Sequence, residues 1–101
     1  MKTATIKLFG NSYKVSLHTA KYANKTLAVY AKVIENNEPF CDISVNLPAS
    51  VLLPKGAFYA KHWSENEGIP EQLIEQGVIQ PINAPAVSSG FVDNIRAYTL
   101  T

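Results

Sequence analysis

Apolar and polar residues alternate with a period of two along most of this chain, and the alternation gives way once, to a helical pattern. Ala4, Ile6 and Leu8 interleave with Thr3, Thr5 and Lys7, and Tyr13, Val15 and Leu17 interleave with Lys14, Ser16 and His18. This is the signature of strands with one face buried. Gly10-Asn11 lies between them and tolerates positive φ, so a hairpin with one apolar and one basic, polar face is predicted. A polar connection over residues 19–25 leads to the longest strand pattern, with Leu27, Val29, Ala31 and Val33 on one face and Ala28, Tyr30 and Lys32 on the other. Residues 35–39 read as a turn. Cys41, Ile43, Val45 and Leu47, against Asp42, Ser44 and Asn46, then predict one further strand that Pro48 ends. Two hairpins with a consistent inward face make an antiparallel meander.

After a loop over 49–56 and a short strand over 57–62, the period changes. Ser64 and Glu67 have the spacing of a capping box. Pro70 fits the start of a helix better than its interior. The spacing therefore predicts a capped turn over 64–68, a short helix over 70–76, and a left-handed stop at Gly77. Ile69, Leu73 and Ile74 form its apolar face, and Glu67, Glu71 and Glu75 form an acidic stripe outward. A brief extended piece over 78–80, a Pro/Ser/Asn loop over 81–90 and a last strand over 91–100 complete the chain. The class is β-rich α+β, built as an antiparallel curved sheet or a partly open small barrel with one short helix.

Composition narrows the field. At 101 residues, with 47% apolar and 17% charged, the chain is expected to fold as a single domain over 1–101 and not to be disordered. The N-terminus, Lys2 to Lys7, interrupts any signal-peptide run with charge, and prolines interrupt the uncharged segment 76–92. A cytoplasmic protein that does not engage a membrane is the expectation. Net charge is only +1, but its layout is uneven: residues 1–34 hold six lysines and no acid, while 35–75 hold seven acids against two lysines.

Catalytic chemistry finds little footing. Cys41, the single cysteine, alternates with Ile43 and Val45 as a buried small hydrophobe would. His18 and His62 lack ligand spacing, and His62 with Glu65 would need further ligands to hold zinc. The carboxylates of 65–75 lie on an exposed face, without apolar surroundings to raise a pKa. No enzyme, metal or cofactor is expected. Ser88-Ser89-Gly90 reads as an anion nest or, more simply, as a turn. Lys7, Lys14, Tyr30 and Lys32 can share the solvent face of the first strands, a basic surface with an aromatic that suits single-stranded nucleic acid. Against dedicated sequence reading stand a lone arginine, Arg96, and a pI near 7.8.

Three segments together resemble a known group. Val45-Asn46-Leu47-Pro48, the stretch Trp63-Ser64-Glu65-Asn66-Glu67-Gly68 with Glu71-Gln72-Leu73-Ile74-Glu75-Gln76-Gly77-Val78-Ile79, and Val87-Ser88-Ser89-Gly90-Phe91-Val92 are similar to a family of bacterial proteins of about this size and unknown function. Its members are encoded on plasmids, conjugative elements and phages. The similarity covers residues 40–100, and Pro70 stands where the pattern has an ordinary helix former. The resemblance implies an accessory role on a mobile element and supplies no catalytic residues. The leading expectation is thus a non-enzymatic accessory that binds another protein through Trp63, Glu67, Glu71 and Glu75, with inhibition of a host defence as one outcome. The alternative is a binder of nucleic acid or a nucleotide ligand, using Lys7, Lys14, Tyr30 and Lys32 with Ser88 and Ser89. The sequence leaves the oligomeric state open.

Overall fold

A computed structural model describes residues 2–47 and 53–101. The strand end expected at Pro48 and the first half of the loop expected over 49–56 lie outside the described residues. In chain order the elements are β1 (Lys2–Leu8), β2 (Asn11–Lys21), β3 (Leu27–Val33), β4 (Pro39–Asp42), β5 (Ser44–Val45), β6 (Ala57–Ala60), a 3-10 turn (Ser64–Asn66), α1 (Ile69–Glu75), β7 (Ile79–Pro81), β8 (Val87–Ser89), β9 (Val92–Ile95) and β10 (Ala97–Leu100). With 52% of the described residues in strands against 11% in helical segments, this is a β-rich α+β chain. Every strand pair is antiparallel. Among the described residues the strands divide among three sheets, ordered β1-β2-β3-β4, β5-β6-β10-β7 and β8-β9, and none closes into a barrel.

The first hairpin turns one residue earlier than expected. Leu8 pairs with Asn11, so Phe9 and Gly10 are the two central residues, with φ of 49° and 79°. Positive φ at both positions is the type I′ geometry, whose twist matches the flanking strands. β2 also runs through the polar segment expected as a connection, because Lys21 pairs with Leu27. Backbone alternation needs no apolar residue to continue once a neighbouring strand supplies its hydrogen bonds.

The single strand expected over 41–47 is broken at Ile43, and the break joins the first two sheets. Ile43 N–H donates to the Val29 carbonyl of the first sheet at 2.9 Å, while its own carbonyl accepts from Lys61 N–H beside β6, also at 2.9 Å. Ser44 follows, fully enclosed. Val29 N–H donates to Ser44 Oγ at 2.8 Å, and the Tyr22 hydroxyl shares a 2.7 Å hydrogen bond with the same oxygen. A buried hydroxyl without such partners would be costly. The last strand divides in the same way: β9 pairs with β8, Arg96 intervenes, and β10 pairs with β6 and β7.

All four residues of β6 are buried. Successive strand side chains point to opposite faces, so this strand must be covered on both. Phe58 and Ala60 belong to the main core with Ile6, Val15, Val29 and Ile43, while Tyr59 joins Ile95 and Ala97 in a second cluster that Trp63 and Val92 flank.

α1 begins at Ile69, one residue before the expected start, and the turn ahead of it forms without the expected capping box. Ser64 takes φ of 59°, neither helical segment has a side-chain cap, and Gly68 with φ of 83° is the N-cap of α1. Pro70 suits the first turn of a helix, where its missing N–H costs nothing, and it fixes the start beyond Glu67. Gly77 takes φ of 71° after the helix, as expected. Ile69, Pro70 and Leu73 face the core, whereas Ile74 is exposed at 37% and leaves the predicted apolar face.

One side of α1 closes the edge of the first sheet. β1 is an edge strand, so the N–H and C=O of alternate residues have no strand partner. Thr5 N–H donates to Gln76 Oε1 at 2.8 Å and Gln76 Nε2 donates to the Thr5 carbonyl at 2.7 Å. Gln72 repeats the pattern on Lys7 at 2.7 and 3.0 Å. Each amide acts as a peptide unit of an absent fifth strand. Replacing both Gln72 and Gln76 with Ala should lower stability by about 2 kcal/mol, since partial exposure lets water recover part of each lost bond. Glu75→Ala serves as the control and should stay within about 0.5 kcal/mol. A urea midpoint unmoved in the double variant would show that the edge does not depend on these amides.

Candidate nucleic-acid interface

The register of the first sheet decides which side chains share its outer face. Lys7 pairs with Ser12, Thr5 with Lys14, Ser16 with Lys32, and His18 with Tyr30. Directly opposed residues lie on the same face, so Lys7, Lys14, Tyr30 and Lys32 stand together on the side away from Ile6, Val15 and Val29. Asp42, opposite Tyr30, is the only acid at these positions. The aromatic end is ordered. The His18 and Tyr30 rings stack with centroids 5.4 Å apart and planes at 19°, and Lys32 Nζ sits 6.0 Å from the Tyr30 centroid. Ser16 Oγ and His18 Nε2 share a 2.8 Å hydrogen bond that fixes the imidazole from beneath. At the far end, Phe9 of the hairpin tip is 92% exposed. A phenylalanine at positive φ stores on the order of 1 kcal/mol of strain.

From His18 to Ser12 this face runs six residues, roughly 20 Å at strand rise. Its own positions carry three lysines and one aspartate, and Glu75 of α1 borders the Lys7 end, lining the same hollow as Thr5 and Lys7. Flexible ammonium groups spaced along an open face bind a phosphate backbone as point charges without reading sequence. His18 was already present in the alternation of polar positions, and its stacking on Tyr30 required the register. Phe9 carried a weaker signal, an aromatic directly before the turn glycine.

The residues expected to contact a protein partner are distributed differently. Glu71 and Glu75 stand exposed on the outer face of α1, but Glu67 precedes the helix, so the three carboxylates do not form one helical stripe. Trp63 is half-buried against the second cluster, with the His62 ring edge-on at 5.3 Å and Lys61 Nζ 5.9 Å from its centroid. Lys61 also pairs with Glu65 at 2.6 Å, and that bond, with help from Ser64, holds the Glu65 carboxyl down at about 2. Ser88 and Ser89 are exposed on β8, in the two-stranded sheet, and do not share the lysine face.

A cleft of about 310 Å3, which no local pattern anticipates, opens between α1 and the β9–β10 junction, lined in part by His62, Glu71, Asn94, Arg96 and Tyr98. His62 Nε2–H donates to the Asp93 carbonyl at 3.0 Å, and Arg96 Nε donates to Asn94 Oδ1 at 3.3 Å. Burial, and after it the Glu71 carboxylate, push the Tyr98 hydroxyl pKa up. Arg96 and Glu71 face the same space without forming an ion pair, a layout suited to a small polar molecule. Among the described residues no group of three or more His, Cys, Asp or Glu could hold a metal ion, and no helix is long and apolar enough to cross a membrane.

No family model matches the chain, and neither does any curated protein or solved structure.

Cys41 packs against the main core beside Asp42, and its thiol pKa is pushed up to about 12 by burial first and then by the nearby Asp42 and Glu65 carboxylates. The thiolate is the reactive form. Colorimetric thiol titration at pH 8 should therefore be slow on the folded protein, by at least about a hundred-fold relative to the urea-unfolded chain. Equal rates in the two states would show that Cys41 is open to solvent.

Proposed function

We propose that the protein binds single-stranded nucleic acid, without strong sequence preference, on the outer face of the β1–β4 sheet. The observation that supports this reading is the register that sets Lys7, Lys14 and Lys32 along one face with the His18–Tyr30 stack at its end. Lysines along the face draw in the backbone by releasing counterions, and the aromatic pair offers a surface on which a base stacks whatever its identity. A modest net charge of +1 fits weak, salt-sensitive binding rather than tight sequence recognition. The role as an accessory of a mobile element rests on the resemblance of residues 40–100, and the cytoplasmic location on the charged N-terminus and the prolines that interrupt segment 76–92.

A second reading, docking of a basic protein partner on α1, is favoured by one observation. Glu71 and Glu75 are exposed one turn apart, and no lysine or arginine pairs with either among the described residues. Like charges at that spacing weaken a helix slightly, so Glu71→Lys with Glu75→Lys should fold at least as well as the parent. If α1 is the docking face, the double reversal abolishes partner capture and leaves oligonucleotide binding equal or stronger. Capture surviving in a folded double variant would remove this reading.

The leading reading is tested by fluorescence anisotropy with a labelled oligothymidylate over a range of salt. Dissociation constants on the order of 10 µM are expected, with a log–log salt slope near −2 if three lysines neutralise phosphates. Lys7→Ala, Lys14→Ala and Lys32→Ala combined should flatten the slope, and Tyr30→Ala should weaken binding by about five-fold or more at every salt concentration. Absence of binding at low salt, or a slope indifferent to the three substitutions, would remove the proposal.

A further inference from the structure

The tip of the first hairpin carries a residue that its own turn disfavours. A two-residue type I′ loop asks for φ > 0 at both central positions, and asparagine followed by glycine is the pair that meets this with least strain. Here the pair is Phe9-Gly10, with φ of 49° at the phenylalanine. Burial does not compensate, because Phe9 is 92% exposed and belongs to neither hydrophobic cluster. A second exposed hairpin tip with a phenylalanine provides a comparison within the same molecule. There Ser89 pairs with Val92, Gly90 takes the positive φ of 61°, and Phe91 sits in the second position, free of that strain. The fold therefore has a way to present a phenylalanine on a hairpin without forcing it into the left-handed region, and the first hairpin does not use it.

Position gives this residue a meaning. Phe9 lies two residues beyond Lys7, at the end of the row that runs from the His18–Tyr30 stack through Lys32 and Lys14. We infer that Phe9 is a second stacking platform for the same strand of nucleic acid, closing a path that begins at Tyr30. This rests on the nucleic-acid reading above. The lysines hold the backbone between two aromatic ends, and a path of that length spans about four nucleotides, at the lower end of the site sizes of such surfaces. A strained, solvated aromatic at the end of a basic face gains its contact only when a base arrives.

The substitution that tests this moves stability and binding in opposite directions. Phe9→Asn supplies the preferred turn residue, so its thermal midpoint should rise by about 4 °C. Its affinity for the labelled oligothymidylate should fall by roughly ten-fold, with the salt slope unchanged because no charge is removed. Phe9→Tyr should bind within about two-fold of the parent, since the ring is retained. Phe91→Ser, on the two-stranded sheet, should leave affinity unaltered. If the parent binds and Phe9→Asn binds equally well, the inference about Phe9 falls while the lysine face stands. Equal losses in Phe9→Asn and Phe91→Ser would also overturn it, because the effect would then not belong to this path. A Phe9→Asn variant that loses binding to anionic phospholipid vesicles but keeps the oligonucleotide would reassign the tip to a lipid surface. A parent that binds no oligonucleotide removes the underlying reading itself.

Discussion

Four hydrogen bonds between two glutamine amides and the β1 backbone are the constraint on which the first sheet depends. An edge strand has to be paired, covered or spoiled if it is not to recruit another chain. Here the covering is done residue by residue: Gln72 and Gln76, one helical turn apart, meet Lys7 and Thr5, two strand residues apart. A helical turn of 5.4 Å and a two-residue strand step near 6.8 Å are close enough for flexible side chains to bridge the difference. The same contact sets where α1 lies, and so which of its faces are left. Ile69 and Leu73 turn inward, Glu71 and Glu75 outward, and Pro70 and Ile74 border the cleft with Arg96.

Much of the strand content was legible because alternation survives wherever one face is buried. The β1–β3 meander, its inward residues and the stop at Gly77 followed from period and turn chemistry alone. What was not legible has a common cause. Cys41 to Leu47 alternates without a flaw, yet the chain changes sheets at Ile43, because alternation specifies which way side chains point and not which neighbour accepts the backbone bonds. Residues 91–100 hide the same break at Arg96. The capping-box spacing at Ser64 and Glu67 was outweighed by Gly68 and Pro70, which together provide a left-handed bend and a ready first turn. Ile74 matched a helical face by count but lies on the far side of Pro70, where the core has ended.

The candidate site was partly legible. Lys7, Lys14, Tyr30 and Lys32 were grouped from period alone, and the register set them side by side. The His18 stack, the cleft around Arg96 and the placement of Trp63 depend on contacts between segments far apart in sequence. No local pattern carries that information. Ser88 and Ser89 show the converse: a plausible motif that the topology assigns to a separate sheet.

The corner at Ile43 has a mechanical consequence. One residue donates its N–H to the first sheet and offers its carbonyl to the chain leading out of β6, so the two sheets are joined at a single residue. Sliding one sheet over the other would shear both bonds at once and strip Ser44 of its partners on Val29 and Tyr22. Relative movement of the two layers at this corner therefore costs backbone and side-chain hydrogen bonds together. The backbone beneath the lysine face, at Val29, is thus tied through Ile43 to Lys61, directly after β6, the strand enclosed on both sides.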